Sequence, residues 1–195
     1  KYIDQENGGF GFAPKFPQSI ILDYILKSNH YADSNHLKQH ANFSVKKMCF
    51  SGLFDHVGGG YYRYCVDSIW AIPHFEKMLY DQALILQNLA LIVRQENEKQ
   101  WSQLFIDKTI HFLNREMYDA QTGLYYAAIN ADSEGEEGKF YVWDESLFED
   151  YIGYDQKPYA DLFELHPVEM GNGKHLVPHW QKFTMQADLV NTYLN

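Results

Sequence analysis

Between residues 70 and 86 the chain reads WAIPHFEKMLYDQALIL, which places His74, Glu76, Lys77 and Asp81 within about two helical turns. An imidazole beside a carboxylate is the usual pair for general acid–base work, so His74 and Glu76 are the first catalytic candidates. Pro73 suits the first turn of a helix, and at roughly 100° per residue His74, Lys77 and Asp81 would share one face, with Glu76 on a neighbouring one. Lys77 and Asp81 at i, i+4 also fit an ordinary surface ion pair, and Glu76 fits a helix N-terminus. From Ala83 onward, however, the segment is apolar nearly all round, the pattern of a buried helix. Its charged start is therefore expected at the mouth of a pocket.

Two neighbouring stretches supply partners. The loop FDHVGGGYYRYCVDSIW (54–70) sets Asp55, His56, Tyr61, Tyr62, Arg63, Asp67 and Trp70 around three consecutive glycines. A concave site with aromatic walls and a few polar groups would read this way. So would a tight loop whose glycines serve turns and whose tyrosines cover helix ends. The stretch ADSEGEE (131–137) brings Asp132, Glu134 and Glu137. With Asn130 and Gly135 it matches the first half of a calcium loop, but Tyr141 stands where a bidentate Glu is required, which argues against an EF-hand. The stretch then reads either as a solvated acidic turn or as carboxylates overhanging a pocket, and the second reading makes Asp132 the third catalytic candidate. His166, His175 and His179 lack helical zinc spacing and have no cysteine nearby, so no metal and no cofactor are expected.

The elements that must position these groups are mainly helical. Ser19 to Asn29 carries Ile21, Leu22, Ile25 and Leu26 on one face. A second helix, capped by Ser34 or Asn35, carries Leu37, Ala41, Val45 and Met48. The third starts at Pro73, and the fourth follows the polar turn RQENEK and runs to about Met117. Glycine–aromatic phrases (GGFGF, SGLFDHVGGGYYRY, TGLYYA) fall between helix pairs. Hairpins separated by such loops predict a solenoid or a closed helical toroid. Residues 123–130 and 138–144 predict a β-hairpin around the acidic tip, 154–165 a helix, 166–180 a loop, and 184–195 the start of another helix.

Bulk composition narrows the partners. A formal charge of -10 argues against nucleic-acid and anionic-membrane surfaces. No apolar run is long enough to span a bilayer. Cys49 and Cys65 form no CxxC and are expected as reduced thiols of a cytoplasmic protein. Aromatic residues make up 16% of the chain, enough to fill a core and line a cleft besides.

Taken together, GGFGFAPKFPQS (8–19), GLFDHVGGGYYRYCVDSIWAIPHFEKMLYDQALI (52–85), ADSEGEEGKFYVW (131–143) and the weaker GNGKHLVP (171–178) resemble the YyaL-like family of thioredoxin-domain proteins, which includes spermatogenesis-associated members. The resemblance implies a six-hairpin glycosidase-like barrel, akin to N-acylglucosamine 2-epimerases. Residues 1–195 would form one domain covering roughly the first half of an (α/α) toroid. An upstream thioredoxin-like domain and further hairpins would lie outside it. It also implies that the 56–67 loop, the 74–81 stretch and the 132–137 tip meet at one mouth. The expected function is a carbohydrate-active barrel, epimerase- or glycoside hydrolase-like. His74, Glu76 and Asp132 would act as acid–base groups. Arg63 and Lys77 would bind anionic or hydroxyl groups, and Tyr61, Tyr62 and Trp70 would stack on a ring. His56, Asp67, Asp81, Glu134 and Glu137 would complete the site. The alternative is a non-catalytic barrel that docks a thioredoxin-like domain or a protein client. An exposed half-barrel face would favour a homodimer.

Overall fold

The computed structural model describes residues 2–28, 34–95 and 98–143, and the backbone of 163–170 and 173–180. Four helices carry the fold. α1 (Ser19–Lys27) buries Leu22, with Ile21, Ile25 and Leu26 packed against the core, as its spacing predicts. α2 (Ser34–Cys49) turns Ala41, Val45 and Met48 fully inward. α3 (Leu79–Ile92) buries Ile85, Leu89 and Ile92, and α4 (Lys99–Phe112) buries Trp101, Leu104, Phe105 and Phe112 before continuing through a π-helical turn (Leu113–Met117). α1 packs on α2, α3 on α4, and the two hairpins join chiefly through α1 against α3. Two polar side chains buried in α3 are explained by what they fasten. Gln82 donates to the Tyr61 carbonyl and accepts from its N–H, and Asn88 donates to the Ser19 carbonyl. Much of the aromatic content is core: Phe54 meets Tyr61 and Phe105 edge-on, both at 4.8 Å, and Phe50 meets Phe105 at 5.0 Å.

The glycine–aromatic phrases are copies of one loop. Residues 3 and 10, 54 and 61, and 118 and 125 face each other as antiparallel pairs. Within each loop an aspartate follows the first paired residue, and a glycine N–H four positions later donates back to its carbonyl: Gly8 to Asp4, Gly59 to Asp55, Gly123 to Asp119. The aspartate Oδ1 accepts backbone N–H groups two residues on in every copy, from Glu6, Val57 and Gln121. The first two copies also pack alike. Gly8 lies against the α2 backbone at Ser44 and Gly9 against the Trp70 ring; Gly59 lies against the α4 backbone at Lys108 and Gly60 against the Phe112 ring. All four have positive φ, so glycine serves both the conformation and the close approach.

The third helix does not begin at Pro73. Residues 63–66 and 72–76 form an irregular antiparallel ribbon instead: Arg63 N–H donates to the Glu76 carbonyl, His74 N–H to Tyr64, and Val66 N–H to Ile72. The ribbon continues into β1 (Lys77–Met78) before α3 starts. Period-two burial replaces the expected helical face: Ala71, Pro73, Phe75 and Lys77 point inward, while Ile72, His74, Glu76 and Met78 are only partly covered. The expected Lys77–Asp81 pair is accordingly not formed; Lys77 turns to Asp55.

The predicted hairpin around the acidic tip is also replaced. β2 (Tyr118–Asp119) pairs with β3 (Leu124–Tyr125), β4 (Ala128–Ile129) pairs back on β1, and β5 (Asp132–Ser133) pairs with β6 (Glu136–Glu137) within the tip itself. Positive-φ Glu134 and Gly135 close that tip. Farther on, β7 (Phe163–Met170) and β8 (Gly173–Trp180) form an antiparallel hairpin where a helix end and a loop were expected, with Phe163 opposite Trp180 and Met170 opposite Gly173. The expected helices over 154–162 and 184–195 lie outside the described residues. Among the described residues, no helix is long and apolar enough to cross a membrane.

Candidate functional site

The second loop copy, the π turn after α4 and the acidic tip enclose a cavity of about 480 Å³, well within the range of small-molecule sites. Asp55, Val57 and Gly58 come from the loop, and Phe112, Arg115 and Glu116 from the end of α4 and its π turn. Ile129, Asn130, Ala131, Asp132 and Ser133 come from the tip strands, and Phe140, Tyr141 and Trp143 from the segment beyond. Lys77 lies on the wall, delivered there by the inward phase of the ribbon.

Lys77 is 1% exposed. Its Nζ donates to Asp55 Oδ2 and to the Gly59 carbonyl, both at 2.7 Å. The ammonium also lies over the rings of Phe112, Tyr62 and Tyr141, at 4.5, 4.8 and 4.9 Å from their centroids, so aromatic faces supply what water would otherwise supply. Burial pushes the Lys77 amine pKa down, and the Asp55 charge opposes that shift. Burial, and then Asp55, raise the Tyr141 phenol to about 12, so it remains a hydrogen-bond donor at neutral pH. Arg115 braces the opposite wall, donating from Nη2 to the Gly58 carbonyl at 2.6 Å and from Nε to Glu116 at 2.5 Å. Among the described residues, no ion pair engages the Asp132 carboxylate; its backbone N–H is held by Asn130 Oδ1.

The same Lys–Asp arrangement recurs in the first loop copy. Lys15, fully buried, donates to Asp4 Oδ2 at 2.6 Å and to the Ser68 carbonyl at 2.8 Å, and lies 4.9 Å from the centroid of Trp70. A buried amine tied to the loop aspartate is thus part of how these loops are built. Among the described residues, no lysine reaches Asp119 in the third copy.

Of the residues singled out from sequence, Asp55, Lys77 and Asp132 line the cavity. His74 and Glu76 do not. His74 stacks on Tyr64 at 4.7 Å and approaches Glu137 at 3.5 Å, while Glu76 pairs with Arg63 at 2.8 Å. Asp81, on the first turn of α3, is influenced by that Arg63–Glu76 pair; burial raises its carboxyl to about 7, with Arg63 lowering it and Glu76 raising it further. Tyr61, Tyr62 and Trp70 are core residues with exposures of 0%, 3% and 0%, leaving no ring face for a ligand to stack on. His56 is buried, its Nε2 2.9 Å from the Ser51 carbonyl, and burial lowers its pKa to about 4. Asp67 accepts the N–H groups of Ile69, Ala71 and Ile72, which makes it a turn former. Glu134 pairs with Lys139 at 2.8 Å. The expected single mouth therefore divides in two: a cavity with Lys77 and Asp132, and a separate polar face with Arg63, His74, Glu76 and Glu137. Phe140 and Tyr141 also line the cavity and fall within the quoted 131–143 stretch, where they read as strand residues; Phe112, Arg115 and Glu116 line it without being marked by any motif. Only the charged RE pair at the end of a predicted helix hints at them.

Helical hairpins joined by these loops, with a cavity at the loop end, define an α/α-toroid type of domain. A solved cellobiose 2-epimerase from Bacillus thermoamylovorans shares the fold, with a TM-score of 0.55 and 18% identity over 69% of this chain and 38% of that one. No protein-family model matches the chain. The chain belongs to the family of spermatogenesis-associated protein 20: it is 37% identical to the mouse and human proteins over 153 residues, 72% of this chain and 19% of theirs. It is also 32% identical to an uncharacterised Caenorhabditis elegans protein over 182 residues, 84% of this chain and 24% of that one. The chain thus spans only about a fifth to a quarter of the length of these relatives.

Proposed function

We propose that this domain is the carbohydrate-binding part of an epimerase- or glycoside hydrolase-like barrel, and that the cavity beside Lys77 is its substrate site. The observation that carries this reading is the lining of that cavity. Phe140 and Tyr141 offer ring surface, while Asn130, Asp132, Ser133 and Glu116 offer hydrogen-bonding groups from separate elements. A sugar has that pattern of needs: an apolar ring face and several hydroxyls. The toroid-type fold shared with an epimerase adds support by analogy alone. Asp132 and Glu116 are the acid–base candidates in this reading, because His74 and Glu76 lie off the cavity wall. The test is a panel of mono- and disaccharides scored by thermal shift, with any binder incubated with the intact protein and followed by NMR for an epimer or a hydrolysis product. A panel in which nothing binds ends the carbohydrate reading.

The second reading is a docking barrel for a thioredoxin-like domain, a protein client or a second copy. It draws on exposed apolar side chains away from the cavity: Tyr2 and Phe12, stacked at 5.2 Å, and Ile20 and Tyr24 one turn apart on α1. Sedimentation velocity of the wild type and an Ile20→Ser/Tyr24→Ser variant tests it. A monomer unchanged by the substitutions argues against self-association.

A further inference from the structure

The sequence pattern points Arg63 and Lys77 toward anionic or hydroxyl groups of a substrate, yet neither is free to hold an anion in the cavity. Arg63 is paired with Glu76 outside it. Lys77 has two donors committed to Asp55 and Gly59, and three aromatic rings surround its ammonium. The remaining cation of the described wall, Arg115, gives Nε to Glu116 and Nη2 to the Gly58 carbonyl. Lys108 carries the carbonyl against Gly59 and is not part of the lining. Recruiting Lys77 to an anionic ligand would strand Asp55, and leaving a buried carboxylate without its partner is costly. The Arg115–Glu116 pair is exposed and weakly held, so on that side of the wall the balance of charges decides.

Balanced against these two cations, the described wall holds three carboxylates, those of Asp55, Glu116 and Asp132. The first two are matched by Lys77 and Arg115. Asp132 is the carboxylate left over, so the local excess is one negative charge. Asp132 sits between Asn130 and Ser133 on the tip, where an ionised carboxylate accepts from sugar hydroxyls and a phosphate or second carboxylate would be repelled.

We propose that the cavity takes uncharged sugars and turns away their phosphorylated or uronate counterparts, with Asp132 as the residue that sets this preference. The proposal rests on the carbohydrate reading and adds a charge rule to it. A unit charge a few ångströms from Asp132, at a dielectric between water and protein, is worth about a ten-fold change in affinity.

The test is calorimetric titration of the intact protein with glucose, mannose, N-acetylglucosamine and cellobiose, each beside glucose 6-phosphate and glucuronate. Asp132→Asn and Asp132→Lys are run in parallel, with melting curves as the folding control. At least one neutral sugar is expected to bind, with the anionic sugars about ten-fold weaker or more. Asp132→Asn should narrow that gap and Asp132→Lys should close or invert it. An anionic sugar that binds the wild type as tightly as the neutral ones overturns the charge rule while leaving the carbohydrate reading intact. A gap that neither substitution moves overturns the role of Asp132. If no sugar of either kind binds, the carbohydrate reading fails and the charge rule falls with it.

Discussion

Asp4 and Asp55 hold the same position in two copies of one loop, and each accepts a hydrogen bond from a buried lysine, Lys15 at 2.6 Å and Lys77 at 2.7 Å. The recurrence separates scaffold from site. Lys15 lines no described cavity and still makes the pair, so the pair is first a way of closing the loop; at Asp55 the same device also forms a cavity wall. Lys77→Met should therefore destabilise the fold by about 3–5 kcal/mol, the usual cost of stranding a buried charge. Asp55→Asn on the Lys77→Met background should cost less than the sum of the single changes, because the second change removes the stranded carboxylate. Lys15→Met should show a loss of the same order. Urea denaturation of the four variants, Asp55→Asn alone included, measures these losses, and a Lys77→Met protein as stable as wild type would remove the scaffold role.

The glycines allow a sharper comparison. Gly60 and Gly123 both have positive φ, at 82° and 72°. A Cβ on Gly60 would stand 2.5 Å from the Phe112 ring, whereas one on Gly123 would meet nothing within 4 Å. Gly123→Ala should cost only the left-handed backbone penalty, about 1 kcal/mol. Gly60→Ala should cost about 1–3 kcal/mol more, because Phe112 must move within a packed core. Equal losses at the two sites would show that the close approach carries no energy.

The helices are legible in the sequence because their apolar spacing has only one periodic reading. Leu22, Ala41, Val45 and Met48 are buried where a 3.6-residue period puts them. The 71–78 ribbon escapes such a reading for a physical reason. Its inward positions are Ala71, Pro73, Phe75 and Lys77, and a lysine in the buried phase breaks the apolar alternation that would otherwise announce a strand. Pro73 suits a helix start equally well, and the deciding contacts, Arg63 to Glu76 and His74 to Tyr64, bond across a loop.

Asp81 gives a pH dependence with a definite sign. Its carboxyl is raised to about 7 by burial, against an ordinary value near 4 in the unfolded chain. Between about pH 4 and 7 the folded chain holds a proton that the unfolded chain has released, so stability from this group falls as pH rises through that window and levels off above it. Asp81→Asn cannot ionise. Its stability relative to wild type should climb from about pH 4 to 7 and then stay constant, with other titrating groups cancelling in the difference. Chemical denaturation at several pH values gives that difference curve; a flat one contradicts the shift.

Part of the cavity is legible in the sequence and part is not. Asp132 stands out as a carboxylate on a glycine-containing acidic tip, and Lys77 as a charge beside a buried helix. Phe112 and Glu116 carry no local signature, and Tyr141 reads only as one residue of an aromatic strand. Phe112 reads as core until the π turn ends α4 beside it, and Tyr141 joins Lys77 only through folding. The Tyr61, Tyr62 and Trp70 cluster shows the converse error, since aromatic density marks the core there and not the ligand surface.

Phe140 offers the cleanest separation of binding from folding. It lines the cavity yet is 78% exposed, lying edge-on to Tyr141 at 5.1 Å. An aromatic so exposed contributes little to the core, and a ring at a cavity rim next to polar groups is placed to stack on a sugar face. Phe140→Ala should leave stability within the scatter typical of surface changes, about ±0.5 kcal/mol. It should weaken binding of any sugar found in the panel by about ten-fold, while Phe140→Trp should retain it. Titration and melting curves on the same preparations read both quantities. Unchanged affinity in the alanine variant would move the ligand off this rim and toward the Asn130–Ser133 side of the cavity.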